Sequence, residues 1–174
     1  MNRYAGTMES YSPLVDKIIR TAPEPALGPG TLNAAGMEAV ESVAAEDLFP
    51  GGHIQDHDYA FCCLAACFLL QDELDRAHQL AQQVETPSGS FWHGIMHRRE
   101  GDFSNAKYWF RQAGAHPVFD ALKYEFGDDY GSPYSFVDRV EAAQAHNFED
   151  KVSCLEIQKR EWTLLFDHCW EGAQ

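Results

Sequence analysis

The chain predicts an all-α protein, and three observations carry that reading. Apolar residues recur at three- to four-residue spacing through most of the sequence. Helix punctuation is frequent: a capping residue stands before proline at Ser12-Pro13, Thr86-Pro87 and Ser132-Pro133, and glycine closes segments at Gly101 and Gly114. No alternating apolar–polar run of strand length occurs anywhere.

Taken in order, residues 1–11 read as a loose terminus, and Ser12-Pro13 opens a short helix to Arg20. Residues 21–30, TAPEPALGPG, form a linker, since prolines and glycines at this density hold neither helix nor ladder. Residues 1–30 are therefore expected as an N-terminal extension, and 31–174 as one helical domain. From Leu32 to Leu48, Met37, Val40 and Val43 or Ala44 mark an amphipathic helix that stops at Phe49-Pro50-Gly51-Gly52. Asp56 is placed to cap the run YAFCCLAACFLL (59–70), which is apolar all round and suits a helix buried on most sides. After Gln71-Asp72, a stripe of Leu74, Ala77, Leu80, Ala81 and Val84 defines a helix over 73–84, with His78 on its flank.

Thr86-Pro87 starts the next helix, 87–100, with Phe91, Trp92, Ile95 and Met96 on one side. At 100° per residue, His93, His97 and Glu100 fall roughly opposite, with Gly94 beside them. Gly101-Asp102 breaks it. A helix at about 103–114 aligns Phe103, Ala106, Phe110 and Ala113, and His116-Pro117 turns the chain into a short helix to Phe126. After the loop GDDYGSP, a helix runs to about His146. A last one, about 149–171, repeats apolar residues at Val152, Leu155, Trp162, Phe166 and Cys169.

Composition narrows the function classes. Asp and Glu number 27 against 13 Lys and Arg, and the net charge of −14 repels phosphate backbones and anionic lipid. Neither nucleic acid nor membrane is an expected partner. An apolar fraction of 45% and eleven phenylalanines can fill a core without disulfides. The five cysteines, three of them in one apolar run, have the distribution of buried thiols in a reducing compartment. No signal-like segment opens the chain, and the longest apolar run falls short of the roughly 20 residues a bilayer needs. The expectation is a soluble, cytoplasmic protein.

Two helix pairs superimpose at a separation of 29 residues: Gly94, Gly101-Asp102-Phe103, Ala106, Phe110 and Ala113 against Ala65, Asp72-Glu73-Leu74, Ala77, Ala81 and Val84. This resembles the tetratricopeptide pattern, in which a small residue in helix A lets helix B approach. The resemblance covers about 60 residues at a spacing shorter than that family's 34. It implies stacked helical hairpins and an interaction surface. The string WHGIMHRREGDFSNAKYWFRQAGAHPV is also similar to an uncharacterised group of bacterial and fungal helical proteins, which implies no activity.

His93 and His97 are spaced i, i+4, so two imidazoles project from one helix face and can reach one ion at about 2.0–2.1 Å. The intervening residues lack the glutamate of the HExxH protease motif. A third ligand is required. His78 is the first choice and His116 the second, with Glu100 placed to orient an imidazole from outside the coordination sphere. The divalent ions in view are zinc, iron and manganese. The plainer alternative makes these histidines satisfied core or surface residues. His53 and His57 share the spacing in what reads as loop, while Cys63 and Cys67 read as small core residues, and Trp92, Trp109 and Tyr108 as packing groups. Asp128-Asp129 lacks the oxygen spacing of a calcium loop, and no phosphate loop or GxSxG elbow occurs.

Arg98 and Arg99 form a local positive spot suited to gripping carboxylate. Their plainer reading is ion pairing with Glu100 or Asp102. Two functions follow. The first is an interaction module whose groove, edged by Trp92, Arg98 and Arg99 with Glu100 beside them, takes a peptide, a protein or a small anion. The second is a metal-dependent enzyme, hydrolytic in type, built on His78, His93 and His97. A homodimer through Trp162, Phe166 and Trp170 of the last helix is the third option.

Overall fold

The computed structural model describes residues 11–146 and 148–174, with the side chains at 146, 148 and 149 excepted. The expected loose terminus, apart from Tyr11, lies outside them. Among the described residues there are nine α-helices and no strand: α1 (Pro13–Thr21), α2 (Ala34–Val40), α3 (His57–Leu70), α4 (Leu74–Ala81), α5 (Pro87–Glu100), α6 (Phe103–Ala113), α7 (Pro117–Phe126), α8 (Pro133–His146) and α9 (Phe148–Ala173). None is long and apolar enough to cross a membrane.

α3 is the hub. Asp56 caps it, its Oδ1 accepting from the amides of Asp58 (2.9 Å) and Tyr59 (3.3 Å). Residues 62–70 are all buried, which answers why this stretch carries no polar face. α9 lies along it, α4 and α5 pack beside it, and α1 closes a further side. Trp162 of α9 donates from Nε1 to the Ala66 carbonyl at 3.2 Å. Phe166 stacks between Trp162 (4.7 Å) and Trp170 (5.9 Å), and Phe49 stacks on Trp170 at 4.5 Å. The aromatic face expected to serve a homodimer is therefore intramolecular core.

Two further expectations need correction. Residues 11–30, expected as part of an extension, belong to the same core: Val15, Ile18, Ile19 and Leu27 are buried in it. After α1, the proline-rich stretch at 22–30 is neither helix nor ladder, and side chains satisfy several of its carbonyls. Gln158 Nε2 donates to Ala26 O (2.8 Å), Gln144 Nε2 to Leu27 O (3.0 Å) and Arg99 Nε to Gly28 O (2.6 Å). Second, the helix expected over 32–48 stops at Val40, and a 3-10 turn at Ala45–Leu48 follows. Asp47 accepts the Ala44 amide at 2.9 Å, a local bond that competes with continued helix and turns Leu48 and Phe49 into the core.

α5 and α6 pack along each other as a hairpin, joined by only Gly101 and Asp102. Gly101 takes φ 83°, a left-handed cap that favours glycine, and Asp102 caps α6 by accepting from Asn105 N–H at 3.2 Å. A Cβ on Gly94 would lie 2.8 Å from the Phe110 ring, so only glycine allows this approach.

Candidate metal centre

Thr86 fixes the start of α5, its Oγ1 accepting from Gly89 N–H at 3.1 Å, and Pro87 occupies the first turn, where its missing donor does no harm. From there α5 runs through protein on nearly every side: Phe91 through Arg99 are all buried. Four of those buried residues are polar, and each requires a partner. Arg98 forms a two-pronged pair with Glu161 of α9, the Nη1–Oε1 arm at 3.2 Å and a shorter Nη2–Oε2 arm. Arg99 reaches Asp72 in the α3–α4 turn as well as the Gly28 carbonyl. The histidines meet a third imidazole.

That third imidazole is His78 of α4. His78 Nε2 lies 2.6 Å from His93 Nε2, and one nitrogen from each of His78, His93 and His97 falls within 4.8 Å of the others. The His93 and His97 rings stack at 4.8 Å, one helical turn apart, and His78 meets them edge-on at 4.4 and 4.6 Å. Trp109 of α6 lies flat on His93 at 3.9 Å and holds its ring plane.

Carboxylates surround the trio without entering it. Glu100 Oε1 bonds His78 Nδ1 at 2.8 Å, and Oε2 stands 3.4 Å from His97 Nδ1. Asp102 Oδ2 is 3.8 Å from the same atom. A carboxylate on Nδ1 keeps the proton there, which leaves the His78 Nε2 lone pair directed at the cluster. Burial, and then the neighbouring imidazoles of His78 and His97, pushes His93 down from 6.5 to about 3. His97 is lowered by burial and His78, against the opposing pull of Glu100 and Asp102. At neutral pH both rings are therefore uncharged, as a metal ligand must be.

The buried His93 Nδ1 and His97 Nδ1 have no hydrogen-bond partner. The carboxylates of Glu100 and Asp102 are the groups closest to His97 Nδ1, whereas His93 presents its other nitrogen, Nε2, to the cluster. Three imidazole nitrogens on a tetrahedral ion stand about 3.3 Å apart, which ring shifts of about 1 Å supply. His78 is 22% and Glu100 29% exposed, so one side of the trio faces solvent. No cysteine joins it, the five free thiols being buried elsewhere.

His116 is not part of this cluster. It caps α7, its Nδ1 accepting from Val118 N–H at 3.3 Å, and its Nε2 lies 3.1 Å from Ser88 Oγ. Ser88 is five residues before His93, roughly 7.5 Å along the α5 axis, and that offset takes His116 out of reach. Trp92 and Arg98 are inside the protein, and Trp92 meets Trp162 edge-on at 6.3 Å, whereas Arg99, though largely buried, lines a small cleft with Pro23, Asp72 and Gln158. Arg98 pairs with Glu161 and Arg99 with Asp72. Glu100 lies on the histidines. His57 is exposed, 3.8 Å from Glu46. Asp102 and Trp109, which sequence spacing did not single out for the site, complete its surroundings.

Comparison with protein-family profiles, with curated proteins and with solved structures finds no match for this chain. The functional reading therefore rests on the geometry alone.

Proposed function

We propose that this protein holds one divalent transition-metal ion on His78, His93 and His97, with zinc the first choice, and that the centre is of the hydrolytic kind. The observation that carries the proposal is the convergence of three imidazoles from α4 and α5, two of them buried and lowered in pKa, with Glu100 hydrogen-bonded behind the third. Three neutral nitrogen ligands, oxygen only in the outer shell and no thiolate suit zinc, and also copper and iron. An ion held by these three rings would supply Lewis-acid activation of water for attack on an ester, amide or phosphate. The chain's own part is to hold the rings neutral, to orient them through Glu100 and Trp109, and to keep one side of the trio open to solvent. Of the side chains expected to edge an interaction groove, Trp92 and Arg98 are buried, Arg99 lines a small cleft and Glu100 is exposed beside the histidines.

The test is elemental analysis of the purified protein with zinc titration calorimetry. One equivalent of metal per chain is expected, with a rise in melting temperature on loading that chelator reverses. His93→Ala and His97→Ala should each abolish stoichiometric binding. If saturating zinc and chelator both leave the melting temperature unmoved, and no metal copurifies, the proposal is wrong. Hydrolysis is tested separately on activated esters with the loaded protein, and activity that is equal with and without zinc would remove that part.

A further inference from the structure

The displaced His116 leads to a second place on the molecule. It stands in a cleft of about 450 Å³ at the beginnings of α5 and α7, together with Tyr59, Ser88, Gln112 and His168. That volume is in the range of small-molecule sites. None of its lining residues carries a carboxylate, ammonium or guanidinium group, on a chain with 27 acidic side chains.

The cleft's hydrogen bonds run in one direction. Val118 N–H donates to His116 Nδ1, so the ring proton is on Nε2 and is given to Ser88 Oγ. Burial, then the nearby His168, holds His116 down to about 4, which keeps this neutral form at pH 7. Ser88 accepts from His116, the reverse of what an activated serine nucleophile needs, so the pair is a binding device and not a catalytic dyad. Its own hydroxyl proton is then free to turn toward Tyr59, which lines the same cleft. The phenol proton is left for whatever occupies the cleft.

The helix ends add no anion site. Pro87 and Pro117 remove one donor each, Gly89 N–H is held by Thr86 Oγ1, and Val118 and Phe119 N–H are held by His116. A charged ligand would be desolvated here against neutral groups only, which is unfavourable. Tyr59 itself is firmly placed, since a Cβ on Gly172 of α9 would meet its ring at 2.6 Å and only glycine lets the two pack.

We propose that this cleft is a second ligand site, which takes an uncharged ring-bearing carbonyl compound, its oxygen accepting from Tyr59 and its frame resting on Pro87, Pro117 and Ala113. The site is separate from the histidine trio and does not depend on metal there.

The probe is benzamide, with benzoate and benzylamine as charged counterparts, followed by the imidazole proton signals of His116 and His168 in NMR titrations of the full chain. Benzamide should bind at about millimolar level and at least about tenfold more tightly than either ion. Tyr59→Phe should weaken it about fivefold, and Gln112→Leu should weaken it as well, with melting temperatures unchanged. Because Tyr59 is half-buried and Gln112 exposed, these variants are expected to fold. Unmoved His116 and His168 signals, equal affinity in Tyr59→Phe, or benzoate binding as tightly as benzamide would each overturn the proposal.

Discussion

His78 Nε2 and His93 Nε2 lie 2.6 Å apart across the boundary between α4 and α5. Two uncharged imidazoles at that distance share at most one proton, and Glu100 holds the proton of His78 on its far nitrogen. Glu100 is thus the group on which the ligand geometry turns, although it need not touch an ion. Glu100→Gln removes the charge but keeps the shape. The expected outcome is zinc binding with unchanged stoichiometry and an affinity about 10- to 100-fold lower, read by competition with a chromophoric chelator. Loss of stoichiometry would instead make Glu100 a direct ligand.

What the sequence made legible, and what it hid, separates along physical lines. The bounds of α5 are written in Thr86-Pro87 and Gly101, because caps and left-handed turns are local chemistry. The i, i+4 pair His93 and His97 was legible for the same reason. His78 followed from the packing of one hairpin on the next. The partners of Arg98 and Arg99 were not legible, since Glu161 lies 63 residues away and Asp72 27. A charge on a helix says nothing about which distant carboxylate will meet it. The break after Val40 was hidden because it depends on one Asp47 side chain outcompeting a helix that the apolar spacing supports. His116 failed as a ligand because sequence proximity to a helix does not say which end of it a residue reaches.

Part of the acid sensitivity of the fold should be traceable to His116, alongside the contribution of the more strongly lowered His93. The folded value of His116, about 4, is below the ordinary 6.5. The folded state therefore binds fewer protons than the unfolded chain between those values. Stability from this group is fully present above pH 6.5 and is lost progressively as pH falls toward 4. The loss is at most about 3 kcal/mol. His116→Asn keeps a good N-cap without a titrating ring. Urea unfolding of metal-free protein between pH 7 and 4 should show a shallower decline in the variant. Parallel declines would mean that other groups carry the effect.

Gly94→Ala tests the approach of α6 to α5. Alanine favours a helix by about 1 kcal/mol over glycine, so a purely local effect would stabilise. The added methyl would stand 2.8 Å from the Phe110 ring, which is packed against Phe91 at 5.5 Å and has no room to retreat. Overpacking of this kind costs about 1–3 kcal/mol. The net expectation is destabilisation by about 1 kcal/mol in denaturant unfolding. Zinc affinity should weaken too, because Trp109 on α6 moves with Phe110 and would release the His93 ring. A stabilised variant with intact zinc binding would show that α6 yields without consequence.

The Arg98–Glu161 pair is completely buried, and the Arg98 guanidinium also stands 4.7 Å from the Phe136 ring and 5.7 Å from that of Phe110. Removing either partner strands a charge in the core. Arg98→Met or Glu161→Leu alone should therefore cost about 3–5 kcal/mol. The double variant replaces both charges by apolar groups of similar length, and the stranded-charge penalty disappears. It should recover most of the loss, so that its destabilisation is smaller than that of either single variant. The cycle is measured by urea unfolding at pH 7. Additive losses in the double variant would mean that the pair's contacts with the surrounding rings, and not its charge balance, hold α5 to α9.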